Sequence, residues 1–337
     1  MSTPSSWKRC NLYKSYLNIL LDTIRPRAVL TGADNNSALA EIANNRKDIL
    51  FIFVQTALRD ANSFPNIHRL PVYCSFGDVE QKIFNDLDIY CDVYLPLGSV
   101  KYGIAQNHKD SHIHPLADIA FISSYRADHV VNSRHSTLID GIHGLDKLLF
   151  QHTIEFASKN NKSVRVLAKS REKVWQRKEY IFYKDLAKSY PFDFFCGDKL
   201  SNEFSSYHGL DPSTIIIHTG STLGFEALAS GARVLFGATS DPELICLWGV
   251  HHYFQQLPKL VCLETRSFKH FSSKLDTIIN LSAHQYRAAI ETKSRLIIRH
   301  RSPKFPHDEI KDILSKVFEE SMSNFDLYAT LGVISNH

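Results

Sequence analysis

The stretch IIIHTGSTLGFEALASGARVLF, residues 215–236, sets Thr219, Gly220, Ser221 and Thr222 between a run of branched apolar residues and a helix-forming segment that carries Glu226. A turn of small, hydroxyl-bearing residues at the start of a helix presents backbone N–H groups at the positive end of the helix dipole. That is an anion site, and phosphate is its usual guest. Gly220 and Gly224 permit close backbone approach, and Glu226, about one turn into the helix, has the reach to accept hydrogen bonds from ribose hydroxyls. The same residues also read as a plain Ser/Thr N-cap on an Ala-rich helix. His218, which ends the strand, either touches such a ligand or is a satisfied core histidine.

The elements around this turn follow one rhythm. RAVLTG, ILFIFVQ, VYCSFG and CDVYLPLG read as buried strands in a first block, and DIAFISSYR, SVRVLAKS, PFDFFCG, STIIIHTG and ARVLFG in a second. Helical patterns alternate with them at 11–24, from Asp34, from Asp78 to Phe84, at 140–159, near 172–188 and near 222–230. Unbroken apolar strands alternating with helices predict an α/β fold of two doubly wound, Rossmann-like domains facing a cleft. The expected division is 1–112, 113–300 and a helical tail, 301–337, that crosses back to the first domain.

In such sheets ligands lie outside the carboxyl ends of the strands, so the residues there become the candidates. In the first block these include Asp34, Asn35 and Asn36, then Gln55 and Arg59, then Ser99. In the second they include Ser123 and Arg126, then Lys169, then Asp198, then Thr219, Ser221 and Thr222. Asp34 either points into the cleft as a base or joins an Asp-Asn-Asn helix cap. Arg59 either meets an anionic group of an acceptor or pairs with Asp60 or Asp86.

Composition narrows the classes. The 337 residues are 44% hydrophobic with a formal net charge of +4, enough apolar content for two cores and too little charge to predict nucleic acid. The 14 Tyr and 21 Phe are spread through core elements and form no base-stacking ladder. The six cysteines stand singly, with no CxxC pair, and neither HIHP at 112–115 nor His251-His252 has carboxylates at metal-ligand spacing. Charged residues interrupt the N-terminal apolar run, and no run is long enough to span a bilayer, so a cytoplasmic protein is expected. The basic, aromatic first helix, with Trp7, Lys8, Arg9, Tyr13, Lys14 and Tyr16, allows peripheral membrane association.

Read as STLGFEALASGARVLF, the opening stretch resembles the C-terminal donor-site motif of two-domain GT-B glycosyltransferases of bacterial surface-carbohydrate synthesis, through Ser221, Thr222, Glu226, Ala227, Gly231 and Val234. TGADNN followed by FIFVQTALR is similar to the DN-then-QNG-R pattern of capsular transferases related to enzymes handling CMP-Kdo, with Thr56 and Ala57 in place of Asn-Gly. CSFGDVEQ, LPLGSVKYG and IAFISSYR resemble further blocks of that group, so the likeness spans roughly 25–240.

The resemblance implies transfer of a sugar, Kdo or another ulosonic acid among them, from a nucleotide sugar to a glycan or lipid-linked glycan at the inner face of the bacterial membrane. It implies no cofactor and no catalytic metal, the nucleotide sugar, CMP-linked or other, being a substrate. On this reading Asp34, Asn35 and Arg59 are catalytic; Ser123, Arg126, Lys169, Thr219, Ser221, Thr222 and Glu226 bind the donor; and Asn36, Gln55 and Ser99 meet the acceptor. The alternatives are a nucleotide-sugar 2-epimerase, a polyol-phosphate transferase, and a non-catalytic protein that binds glycan or nucleotide.

Overall fold

The computed structural model describes residues 4–60, 62–107, 117–125, 136–197, 204–208, 214–299 and 304–319. Arg126, Asp198 and the HIHP run lie outside them. In chain order the elements are α1 (Pro4–Ile24), β1 (Ala28–Thr31), α2 (Ser37–Asn45), β2 (Leu50–Val54), β3 (Arg69–Ser75), α3 (Val79–Asp86), β4 (Tyr90–Pro96) and α4 (Val100–Asn107). There follow β5 (Ile119–Ile122), α5 (Ser136–Lys159), β6 (Val164–Leu167), α6 (Lys173–Ala187), β7 (Asp193–Phe195), α7 (Ser205–His208), β8 (Ile215–His218), α8 (Thr222–Ala229) and β9 (Arg233–Phe236). The chain ends in α9 (Pro242–Trp248), α10 (His251–Gln255), α11 (Phe268–Asn280), α12 (Ala283–Ile297) and α13 (Pro306–Glu319). It divides into two compact units, Met1–Gly103 with Arg299–His337, and Ile104–Ile298.

The first unit holds a parallel sheet in the order β1-β2-β3-β4. All five residues of β2 are buried, as expected for a parallel strand covered on both faces. Alternation puts Leu50, Ile52 and Val54 on one face, where they pack with Val72, Cys74, Val93 and Leu97 against Ile310, Ile313 and Val317 of α13. The last helix of the chain therefore completes the first core. Asp308 and Glu309 in its first turn and Lys316 in its last complement its dipole. Arg27 closes its far end by donating to the carbonyls of Val317 and Phe318. Where the chain re-enters this unit, Arg299 donates its N–H to Phe76 O at 2.7 Å and its guanidinium to Pro96 O at 3.2 Å.

The second unit holds five parallel strands in the order β7-β6-β5-β8-β9. Every residue of β5 and β6 is buried, and the one charged side chain among them, Arg165, donates to the Asp193 carboxylate at 2.6 Å. No helix of the described residues is long and apolar enough to cross a membrane.

Candidate functional site

From β5 the second sheet grows outward to β6 and β7, and the chain then returns to add β8 and β9 on the other side. The reversal falls between β5 and β8, paired from Ile119↔Ile215 to Ile122↔His218. The crevice outside the carboxyl ends of two such strands is where open α/β sheets take ligands. Ser123, Ser124 and Tyr125 follow β5 there, and Thr219, Gly220 and Ser221 follow β8.

Asp146 ties the two loops together. It is fully buried on α5, where its Oδ1 accepts the Ser124 N–H at 3.0 Å and the Thr219 hydroxyl at 3.3 Å. Its Oδ2 accepts the Tyr183 hydroxyl, which lies 2.8 Å from Ser123 Oγ and can accept from it in turn. Burial pushes the Asp146 carboxyl up to about 6, against the lowering effect of the Tyr183, Ser124 and Thr219 donors. Glu179 does the same work for the loop after β6. Fully buried on α6, it accepts the N–H groups of Lys169 at 2.7 Å and Ser170 at 2.9 Å, which fixes the Lys169 backbone while the side chain stays exposed.

Ser221 is the N-cap of α8, with extended backbone and no side-chain capping bond. Its N–H donates to His218 Nδ1 at 2.9 Å. Burial pushes the His218 imidazole down to about 3, so the ring is neutral, and with Nδ1 accepting, its proton sits on Nε2. Nε2 has no partner among the described residues and lies against Gly224, where an added Cβ would come within 2.1 Å of it. At Gly220 an added Cβ would meet Trp248 at 2.7 Å and Phe254 at 3.0 Å. This corrects the sequence reading of both glycines: they admit rings of the protein's own core, not a ligand. His218 is a core residue that braces the turn. Gly231, in left-handed conformation at φ 86°, ends α8 in a Schellman arrangement, with Gly231 N–H on Leu228 O and Ala232 N–H on Ala227 O.

Glu226 is buried, and its two carboxylate oxygens lie 3.1 and 3.0 Å from the Tyr207 hydroxyl of α7. Ser221 and Thr222 are half-buried at the mouth of α8, whereas Thr219 is fully buried and bound to Asp146. Ser123 is also buried, its Oγ accepting the Tyr125 N–H at 3.1 Å besides meeting Tyr183. Thr219 and Ser123 thus hold the loops from behind, whereas Ser221 and Thr222 are half-buried at the start of α8 and Lys169, after the neighbouring strand β6, is exposed.

In the first unit Asp34 is fully buried and accepts Arg59 Nε at 2.9 Å, a second Arg59 nitrogen, and the Tyr73 hydroxyl at 3.0 Å. A carboxylate so enclosed anchors an arginine; it does not face an acceptor as a base. Arg59, its side chain 14% exposed, is the outward member of the pair, and Asp60 instead binds the Ser63 hydroxyl at 2.9 Å. Asn36 caps α2 by accepting the Leu39 N–H at 3.0 Å, and Asn35 beside it is half-exposed. Gln55 is buried, donating to Ala57 O and to Glu80 while accepting the Phe76 N–H at 2.6 Å. Ser99, also buried, accepts the Tyr102 N–H at 3.2 Å at the start of α4. The geometry makes Gln55 and Ser99 brackets of the strand ends, in place of the acceptor contacts expected of them. Among the described residues no group of three or more His, Cys, Asp or Glu side chains is placed to hold a metal ion.

Asp146, Glu179, Tyr183, Tyr207 and Glu80 were absent from the sequence candidates. Asp146 carried a signal, since it falls on the apolar stripe Ile139, Ile142, Leu149, Phe150 of α5. A lone carboxylate on a core stripe must be hydrogen-bonded inside.

A protein-family model described as "putative O-antigen biosynthesis protein" matches residues 92–243, a span that contains the whole second sheet and α8. No curated protein matches the chain in sequence. Among solved structures, UDP-GlcNAc 2-epimerase of Methanocaldococcus jannaschii in complex with UDP-GlcNAc and UDP is similar, with a TM-score of 0.53 and 13% identity. That likeness covers 91% of this chain and 80% of that one. The fold is therefore α/β and Rossmann-like, two parallel sheets flanked by helices, of the GT-B type to which that epimerase is similar.

Proposed function

We propose that this chain is an enzyme of bacterial surface-polysaccharide synthesis that binds a nucleotide sugar at the switch point of its second unit and transfers the sugar to a glycan acceptor. The observation that carries the reading is the switch-point crevice itself, with hydroxyls and the N-terminus of α8 at its mouth and a buried carboxylate, Glu226, one turn behind. The description of the family matched over 92–243 and the nucleotide sugar named with the similar epimerase structure both support it.

In the transfer an acceptor hydroxyl oxygen bonds to the anomeric carbon, the bond from that carbon to the phosphate oxygen breaks, and the nucleotide leaves with the electron pair. The acceptor proton passes to a base or to water. Negative charge grows on the leaving phosphate, so donors fixed in advance lower the barrier. The α8 N-terminus with Ser221 and Thr222 would supply such donors, with the Lys169 ammonium and Arg126 as counter-charges. A ribose hydroxyl at Glu226 would displace the Tyr207 hydroxyl or share the carboxylate with it. Arg59, held by Asp34, which also accepts the Tyr73 hydroxyl and is followed in the chain by Asn35 and Asn36, is the candidate contact for an anionic acceptor.

A second reading, 2-epimerisation, is favoured by the fold likeness to the M. jannaschii enzyme. Moving a proton on a sugar carbon requires acid and base groups within reach of it. In the first unit Asp34, in the loop after β1, and Glu80, in the first turn of α3, are both fully buried and bound to Arg59 and Gln55, which favours transfer. The deciding experiment incubates the purified protein with CMP-, UDP-, GDP- and TDP-sugars, with and without bacterial glycolipid, and follows the sugar by NMR. Nucleotide release that depends on the glycolipid is the expected result. A C2 epimer formed without acceptor would establish the second reading, and no change with any donor would exclude both.

A further inference from the structure

The helix α6 presents a second kind of surface. Glu179, Tyr183 and Ala187 face the core, so the opposite ridge runs through Val174, Arg177, Lys178 and Ile181 at helical spacing. Val174 is 65% and Ile181 47% exposed, so the ridge presents two branched aliphatics to solvent among its basic side chains. Around them Arg171, Lys173, Arg177, Lys178, Lys184 and Lys188 are exposed, against Glu172 and Asp185 alone. Six positive groups less two negative leave an excess of four, as large as the net +4 of the entire chain. None of the six has an ion-pair partner among the described residues.

We propose that this face of α6 docks on an anionic lipid bilayer, the helix lying in the interfacial plane. Val174 and Ile181 enter the acyl boundary while the lysine and arginine stems reach outward to lipid phosphates. The aliphatic centre of the ridge distinguishes lipid from a nucleic acid, which has no use for buried methyl groups. The aromatic rings point the same way: Lys178 lies over Trp175 at 4.6 Å and Lys184 over Tyr180 at 5.8 Å, so cations already occupy the ring faces on which bases would stack. α6 also begins just after the Lys169–Ser170 loop, so docking brings the lipid surface beside one wall of the switch-point crevice. The inference rests on α6 alone and holds whatever reaction the crevice supports.

The test is co-sedimentation of the full chain with vesicles of phosphatidylcholine alone and of phosphatidylcholine mixed with phosphatidylglycerol, at low and physiological salt. Binding is expected to the mixed vesicles only and to weaken with salt. The variant Lys173→Glu/Arg177→Glu/Lys178→Glu should bind on the order of 100-fold more weakly, at roughly 1 kcal/mol per basic group near an anionic surface. Val174→Ser/Ile181→Ser should bind about tenfold more weakly with its salt dependence kept. Unchanged thermal midpoints show that both variants fold, and the serine pair decides should the charge-reversed protein not fold. No binding to mixed vesicles, or binding kept by the charge-reversed variant through another surface such as α1, would overturn the proposal. So would heparin or RNA binding as tight as vesicle binding with the serine pair without effect.

Discussion

Asp146 and His218 each hold a residue of the turn after β8, Thr219 and Ser221, and respond to pH in opposite senses. The Asp146 carboxyl is raised by burial to about 6, so the folded protein binds a proton there that the unfolded chain, at 3.8, releases earlier. Its stabilising contribution is full below pH ~4 and is lost as the pH rises through about 6, a span worth about 3 kcal/mol. Against Asp146→Asn, wild-type stability should therefore decline between pH 4 and 6 and run parallel above, as chemical denaturation at stepped pH would reveal. His218, lowered by burial from 6.5 to about 3, contributes above pH 6.5, and that contribution is lost as the pH falls toward 3. At Gly224 the argument is steric. A methyl group 2.1 Å from His218 Nε2 must push the ring or the helix aside, so Gly224→Ala should cost about 1–3 kcal/mol or more, measurable as a lowered urea midpoint. The types of these residues were legible in the sequence, but their partners were not. Whether the space at a glycine goes to a ligand or to a ring depends on Trp248, Phe254 and His218, which come from distant segments or act through tertiary packing.

Among the elements of the described residues, the strands and the long helices follow the hydrophobic periods closely, because parallel strands buried on both faces leave continuous apolar runs such as Leu50–Val54. The short helices were harder. α4 contains Gly103, a poor helix former, and Pro306 and His307 pack close to where its Cβ would stand, at 3.1 and 3.2 Å. α9 and α10 are seven and five residues long, too short for periodicity to show. The helical tail was legible as helix and as a candidate to cross back, and α13 packs Ile310, Ile313 and Val317 on the first sheet. Ile313→Ala should then destabilise the first unit by about 2–5 kcal/mol, with a smaller shift for the second. Unfolding followed separately through reporters on β2 and β8 would check it, and equal losses in both units would contradict this assignment.

At the scale of the whole molecule, the second unit carries the features on which the proposed function rests: the strand reversal between β5 and β8, the loops pinned by Asp146 and Glu179, and Glu226 behind the α8 turn. The S/T-to-Glu spacing in one strand–turn–helix pointed to that place, whereas the buried carboxylates that make it rigid could be recognised only once the helices were seen packed. Net charge was the least informative sequence property. A mild +4 overall conceals an excess of four on the single segment around α6. The central claim is nucleotide binding at the switch point. It is tested most directly by the thermal midpoint of the purified chain with CMP, CDP, UDP, GDP or TDP, in wild type and in Glu226→Gln, which keeps the side-chain shape and an acceptor for Tyr207. A rise of several degrees with one nucleotide, reduced or lost in Glu226→Gln, is the predicted result. No rise with any nucleotide, or an equal rise in the variant, would contradict the assignment of Glu226 and the α8 turn as the donor site.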